Sequence, residues 1–335
     1  MKIAFFGVEA SEEGLIQRSF PNDDIFFSEK KMTKGSLAKM KNVEVLVVFV
    51  DSPVSSDVIR ALPKLRGIAT MSTGFDHIDI EECKKKGIVV CNVPCYGENT
   101  VAEHTFALLL AMSRKLLPSI EQEKRGSLHP RALRGFDLQR KTLGIIGCGN
   151  IGQHVARIAQ GFQMKVVVFD LYPNRKLAAK LGFQYVSLPK LLGSSDIVTI
   201  HVPYNKHTHH LLGKKEFLLM KKGAYLINTA RGGIVDTDAL VQALKNHHLA
   251  GAALDVLEEE DHMCEEVKLL TEAGQKECNL STLLENHILL QMPHVLVTPH
   301  NAFNTKEALQ RILDITLENI KSIKRGKPRN RVGRG

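Results

Sequence analysis

The chain has 335 residues, 44% hydrophobic and 24% charged, with a formal net charge of +9. That length exceeds what one hydrophobic core organises, and the composition is that of an ordinary globular protein, so two domains are expected and a disordered or fibrous chain is excluded. No apolar run reaches about 18 residues, so no membrane span or membrane partner is expected.

The first hundred residues alternate apolar strand-like runs with polar helix-compatible stretches. Residues 3–6, 43–50, 67–70 and 89–92 read as short buried strands; residues 57–62 and 80–86 read as helices. Such alternation implies a parallel sheet with helices on its faces. The N-terminal apolar run turns polar at Glu9, too short for a secretory signal, so a cytoplasmic protein is expected. Residues 100–117 form one long buried helix ended with the help of Pro118, a candidate inter-domain element.

From Thr142 the alternation restarts. Residues 143–146, 166–169, 197–200, 225–228 and 251–256 read as strands, most of them followed by helices, which is the pattern of a doubly wound domain. Residues 261–292 break the rhythm as an acidic long loop with a short helix. Residues 295–298 give a last strand. Residues 305–323 give a helix with Ile312, Ile315, Ile320 and Ile323 at helical spacing.

Six cysteines occur, at Cys83, Cys91, Cys95, Cys148, Cys264 and Cys278. None makes a C-x-x-C pair, so neither a zinc site nor a disulfide framework is expected, no metal is assigned, and free thiols suit a reducing compartment. The basic end carries Lys321, Lys324, Arg325, Lys327, Arg329, Arg331 and Arg334 without interleaved aromatics. It reads as a solvated, partly disordered terminus rather than a nucleic-acid arm.

Chemistry concentrates in the second half. Gly147-Cys148-Gly149-Asn150-Ile151-Gly152 lies between the strand 143–146 and a helix over 151–160. Gly147 permits a tight turn, Gly149 admits a pyrophosphate close to the backbone, and Gly152 lets helix and strand pack. Asn150 and Ile151 open the helix, whose N-terminus offers free N–H groups to phosphate. Asp170 ends the next strand, roughly 20 residues on, where a carboxylate binds adenosine ribose hydroxyls and repels a 2′-phosphate; this favours NAD over NADP.

Three further groups follow strand ends, where ligands bind in open sheets. Arg231 follows residues 225–228, and a guanidinium matches a carboxylate with two hydrogen bonds. His300 follows residues 295–298, and an imidazole suits proton donation near neutral pH. Asp255 and Glu260 stand at and after the end of the strand read over 251–256, and a carboxylate beside the histidine stabilises its charged form. Reduction of a 2-keto acid needs this set.

In the glycine motif, in 226–236, in 251–260 and in 297–303, the chain resembles the D-isomer-specific 2-hydroxyacid dehydrogenase family over nearly its whole length. The resemblance implies Arg231 binding the substrate carboxylate, His300 as acid in reduction and base in oxidation, and Glu260 as its partner. It implies Asp255 near the nicotinamide with an influence on pH dependence. It further implies Thr73, Gly74 and Phe75, within 72–76, as the loop holding the carboxylate. Val101 would stand near the nicotinamide, His201, Val202, Pro203 and Thr208 would line a loop over the cofactor, and Thr229 and Ala230 would touch the nicotinamide ribose. Tyr96 and Phe303 match aromatics bounding a small pocket in D-lactate dehydrogenases, the subgroup most similar. The fold so implied is α/β with two doubly wound parallel-sheet domains. A flavodoxin-like substrate domain, residues 1–99 and 300–335, is split around a Rossmann NAD-binding domain, residues 100–299. A homodimer through the cofactor domain is implied as well. The expected reaction is NAD-dependent reduction of pyruvate or a similar small 2-keto acid to the D-2-hydroxy acid. A non-catalytic NAD-binding scaffold like the family's corepressor branch, and a dehydrogenase for a larger 2-keto acid, stay open as alternatives.

Overall fold

The computed structural model describes residues 1–37, 40–126, 129–260 and 279–333. They fall into two compact units, Met1–Tyr96 with Thr305–Gly335, and Gly97–Asn304. The unit boundaries follow Tyr96 and Asn304, so His300 and Phe303 belong to the second unit.

In the first unit, strands β1 (Lys2–Phe6), β2 (Asp24–Ser28), β3 (Val45–Val48), β4 (Gly67–Thr70) and β5 (Val89–Cys91) form a parallel sheet ordered β2-β1-β3-β4-β5. Every residue of β3 and β4 is buried, as a parallel strand covered on both faces requires. β2 escapes a periodicity reading because it is an edge strand with no fully buried residue. Helices α1 (Ala10–Ser19), α2 (Lys34–Leu37), α3 (Ser56–Ala61) and α4 (Ile80–Lys85) make the crossovers.

The C-terminal helix α13 (Lys306–Lys324) also belongs to this unit. Thr305 caps it, its hydroxyl accepting the Ala308 N–H at 3.2 Å. It lies directly on β4: a Cβ on Gly67 would stand 2.8 Å from Ile323 Cγ2. The chain beyond it departs from the partly disordered terminus expected from composition. Arg331 bridges Cys91, and Val332 N–H donates to Val90 O at 3.0 Å. Lys327, Arg329 and Arg331 stay exposed, but the backbone at Arg331 and Val332 is bonded to the edge strand β5.

The second unit holds seven parallel strands: β6 (Thr142–Ile146), β7 (Lys165–Phe169), β8 (Gln184–Tyr185), β9 (Ile197–Ile200), β10 (Ala224–Asn228), β11 (Leu249–Leu254) and β12 (Val295–Val297). Their order is β12-β11-β10-β9-β6-β7-β8, the doubly wound dinucleotide-binding order with its switch point between β6 and β9. Successive residues of β6 feed different cores: Ile145 packs with Val166, Val168 and Ile227, and Ile146 with Val198, Ile200 and Leu226. Helices α5 (Glu98–Ser113), α6 (Leu116–Lys124), α7 (Asn150–Gly161), α8 (Arg175–Lys180), α9 (Leu188–Ser194), α10 (Lys214–Leu219), α11 (Thr237–Lys245) and α12 (Leu280–Gln291) cover it.

The single helix expected over residues 100–117 is two. It breaks at Lys115, which takes φ 53° and reverses the chain into α6. Pro118 does not end a helix but lies in the first turn of α6, where a missing N–H costs no intrahelical bond. Of the acidic segment 261–292, residues 261–278 lie outside the described residues, and α12 follows with Asn279 as its cap. No described helix is long and apolar enough to cross a membrane.

Candidate active site

The glycine loop leaves β6 at the switch point. Gly147 takes φ +92°, and a Cβ there would lie 2.7 Å from Val202 Cγ1 and 2.8 Å from the His201 carbonyl carbon. A Cβ on Gly152 would fall 2.2 Å from the Gly147 oxygen. A Cβ on Gly149 would meet nothing within 4 Å, so that face of the loop is open. Gly149 caps α7 without a side-chain hydrogen bond, and no acidic residue occupies the first turn. The helix therefore presents free N–H groups and its positive dipole end at an open backbone, a cradle that fits a pyrophosphate.

Asp170 follows β7. Its Oδ2 accepts the Cys148 N–H at 2.7 Å and its Oδ1 the Tyr172 N–H at 2.8 Å. The carboxylate is thus tied to the glycine loop while each oxygen keeps a lone pair for a ribose hydroxyl. Burial, then the Asp170 charge, push the Cys148 thiol up to about 11, with a Tyr185 hydrogen bond opposing them. After β9, burial holds the His201 imidazole down at about 3, so it is neutral. Thr199 Oγ1 meets its Nε2 at 2.9 Å. Thr208 closes the following loop, donating to Pro203 O at 2.7 Å and accepting from Asn205 N at 2.8 Å. Thr229 after β10 meets Thr105 of α5 hydroxyl to hydroxyl at 3.1 Å, one turn from the buried Val101.

Arg231 leaves β10 through a turn shaped by the buried Asn228. The Asn228 amide donates to Arg231 O at 2.9 Å, its oxygen accepts the Ala230 N–H at 3.0 Å, and the Arg231 guanidinium donates to Ala230 O at 2.8 Å. The next residue joins this turn to the segment after β11: a Cβ on Gly232 would stand 2.0 Å from the Leu257 carbonyl carbon and 2.2 Å from the Glu258 nitrogen. Glu260, a few residues on, has its Oε2 fixed by the Leu257 N–H at 3.0 Å and its Oε1 2.6 Å from Nδ1 of His300. Nε2 of His300 is therefore the ring nitrogen left to meet a substrate. The His300 and Phe303 rings sit edge to face, centroids 6.4 Å apart.

His300 takes φ +49°, a left-handed conformation that a β-carbon disfavours. Asp255 holds it there. Asp255 O accepts the His300 N–H at 2.8 Å, Oδ1 accepts the Asn301 N–H at 2.8 Å and the Thr298 hydroxyl at 2.6 Å, and Oδ2 accepts the Ala302 N–H at 2.9 Å. His104 Nε2, from α5, stands 3.2 Å from Oδ1. Burial alone would raise the Asp255 carboxyl; the hydrogen bonds from His104, Thr298, Asn301 and Ala302 outweigh it and hold the group below its ordinary range. In the structure Asp255 is a buried anchor beneath the His300 loop.

In the first unit, residues 72–76 form a loop braced from within. Thr73 donates its hydroxyl to Val93 O at 2.8 Å, Ser72 Oγ donates to Gly74 O at 2.6 Å, and the Asn92 amide donates to Thr73 O at 2.7 Å. Phe75 is exposed, and Tyr96 O accepts from Arg311 Nε at 2.7 Å. Sequence reasoning assigned no role to His104, Asn228, Gly232 or Thr298. His104 alone carried a signal, as a titratable group within an apolar helix.

Residues 106–302 match the family described as D-isomer specific 2-hydroxyacid dehydrogenase, NAD binding domain. A 2-hydroxyacid dehydrogenase homolog of Zymomonas mobilis is 33% identical over 332 residues, covering 98% of each chain. A glyoxylate reductase of Thermococcus litoralis is 36% identical over 297 residues, covering 87% of this chain and 83% of that one. Among solved structures, the D-lactate dehydrogenase of Aquifex aeolicus, in complex with NAD and lactic acid, superposes with a TM-score of 0.88 at 35% identity, covering 97% of this chain and 96% of that one. The chain belongs to the D-isomer-specific 2-hydroxyacid dehydrogenase family, and NAD is its cofactor.

Proposed function

We propose that this protein reduces pyruvate or a similarly small 2-keto acid to the D-2-hydroxy acid. The observation that carries the reading is the Glu260–His300 pair at 2.6 Å, with Arg231 emerging from a neighbouring strand end. Bound NADH supplies the hydride. Arg231 holds the substrate carboxylate, which sets the direction of the carbonyl. His300 gives its Nε2 proton to the carbonyl oxygen, and Glu260 stabilises the charged imidazole and fixes its ring. In oxidation the same nitrogen takes the proton back. Gly147, Gly149, Asn150, Ile151 and Gly152 hold the pyrophosphate, and Asp170 the adenosine ribose.

A D-lactate dehydrogenase and glyoxylate reductases among the relatives favour a two- or three-carbon substrate. The test is NADH oxidation with pyruvate, glyoxylate, phenylpyruvate and 2-ketoisocaproate, followed by chiral analysis of the product. Highest kcat/KM on pyruvate with a D-product is expected. Preference for glyoxylate or a bulkier acid corrects the substrate, and no turnover on any of them refutes the enzyme. The same chain is expected as a homodimer. Exposed Leu116, Leu117 and Ile120 on α6 support that expectation, and light scattering checks it.

A further inference from the structure

Outside the residues assigned above, His209, His210 and Glu258 each bring one metal-ligating atom within 4.8 Å of the others. His210 Nε2 and Glu258 Oε1 are 2.7 Å apart. The two imidazoles stack with centroids 3.9 Å apart, so both rings lie at the same carboxylate. The histidines are adjacent in the chain, but Glu258 reaches them only through the fold, from the segment after β11.

The donors are oriented by groups that are not donors themselves. Thr237 Oγ1 donates to the second Glu258 oxygen at 2.7 Å. The Tyr204 hydroxyl meets His209 Nδ1 at 3.1 Å, which leaves Nε2 for an ion. The backbone fixes the positions: His210 N–H donates to Gly233 O at 2.9 Å and His209 N–H to Asn205 O at 2.9 Å. Asn286 Nδ2 donates to Glu258 O at 2.7 Å. His210 is held at φ +49° by this arrangement. Partners that orient ligands in this way commonly accompany metal sites.

Two neutral imidazoles and one carboxylate, with a fourth position left to water, are a ligand set of zinc.

We propose that His209, His210 and Glu258 form a binding site for one divalent transition-metal ion of the zinc type. The ion takes the place of the direct His210–Glu258 contact and ties residues 204–210 to the segment that also carries Glu260. This departs from the expectation of no metal, which rested on cysteine spacing.

The full chain, stripped with chelator and free of any affinity tag, is titrated with Zn²⁺ by calorimetry and with Co²⁺ by visible absorption. One ion per chain, a tetrahedral Co²⁺ spectrum and a Zn²⁺-dependent rise in melting temperature are expected. His209→Gln and Glu258→Gln abolish all three signals. Thr237→Val weakens binding about tenfold to hundredfold. His207→Gln, at a neighbouring exposed histidine outside the cluster, leaves binding unchanged. If Glu258→Gln fails to fold, His209→Gln decides alone, because it keeps the His210–Glu258 pair. Absence of stoichiometric binding, or binding that survives His209→Gln, overturns the proposal.

Discussion

Nδ1 of His300 lies 2.6 Å from Oε1 of Glu260, while the second oxygen of that carboxylate accepts the Leu257 N–H at 3.0 Å. The carboxylate is gripped by backbone on one side and grips the imidazole on the other. The ring orientation is thus inherited from the end of β11, and Nε2 is presented without a conformational search. His300→Gln removes the only titrating group of this pair that faces substrate in the proposed reaction. It is expected to lower kcat about 10²–10⁴-fold, the contribution of a positioned general acid. NADH affinity, followed by fluorescence titration, stays unchanged. Wild-type turnover in this variant would remove His300 from the mechanism.

Arg231→Ala separates substrate binding from cofactor binding. The side chain is held by the Asn228 turn and leaves β10 by a path that does not depend on the glycine loop. Loss of charge-assisted hydrogen bonds costs about 1.5–3 kcal/mol, which is about tenfold to hundredfold in keto-acid binding. The KM for the keto acid is expected to rise by that factor while the NADH dissociation constant holds. Equal weakening of both would contradict the assigned role.

Gly232→Ala tests the junction between the arginine turn and the glutamate segment. The added methyl would stand 2.0 Å from the Leu257 carbonyl carbon, and the obstacle is backbone rather than a flexible side chain. The two segments must separate, at a cost of about 1–3 kcal/mol for overpacking. Urea unfolding is expected to show a lower midpoint, and keto-acid turnover to fall because Arg231 and Glu260 move apart. A variant as stable as the parent would show that the segments do not touch there.

Why some of this was legible in the sequence and some not has a physical reason. β3, β4 and β9 are buried at every residue and β6 at all but its first, and such largely apolar runs announce themselves. The edge strand β2 buries no residue fully, and β8 has only two residues, so neither leaves a periodic trace. Lys115 breaks the long helix by backbone conformation alone, which composition does not encode. The terminal charges suggested disorder because the bonds that hold Arg331 and Val332 run through the backbone to β5. In the candidate site, the glycine turn and the placement of Asp170, Arg231 and His300 after strand ends were legible from motif and strand pattern, and Glu260 from the family resemblance. Asn228, Gly232 and Thr298 were not: Asn228 shapes a local turn with two hydrogen bonds, Gly232 acts by lacking a side chain, and Thr298 acts through a hydrogen bond to Asp255, distant in sequence.

Asp255→Asn tests the anchor beneath the His300 loop. The carboxylate accepts hydrogen bonds at both oxygens, and an amide accepts at only one. Leaving a buried donor unpaired costs about 1–3 kcal/mol. Because the folded carboxyl sits below its ordinary value, its contribution is complete above the unfolded pKa of about 3.9 and is lost as pH falls through the lower folded value. The stability gap between parent and variant, from urea unfolding at several pH values, is expected to stay constant from neutral pH to about 4 and to narrow only in stronger acid. A gap that closes near neutral pH would assign it to another group.

Asp170→Ser tests cofactor choice with two independent readouts. The carboxylate lies against the glycine loop through the Cys148 N–H at 2.7 Å, where a 2′-phosphate would add a second negative charge. Like charges so placed cost several kcal/mol, and each 1.4 kcal/mol is about tenfold. The preference for NADH over NADPH, measured as the ratio of kcat/KM values, is expected to shrink at least tenfold, about one such step. The second readout needs no turnover. The Cys148 thiol stands at about 11 because of burial first and the Asp170 charge second. Removing that charge favours the thiolate, so the pKa is expected to fall, as followed by ultraviolet thiolate absorbance against a Cys148→Ser control. An unchanged cofactor ratio with a lowered thiol pKa would show that the carboxylate is where the structure places it but does not read the ribose.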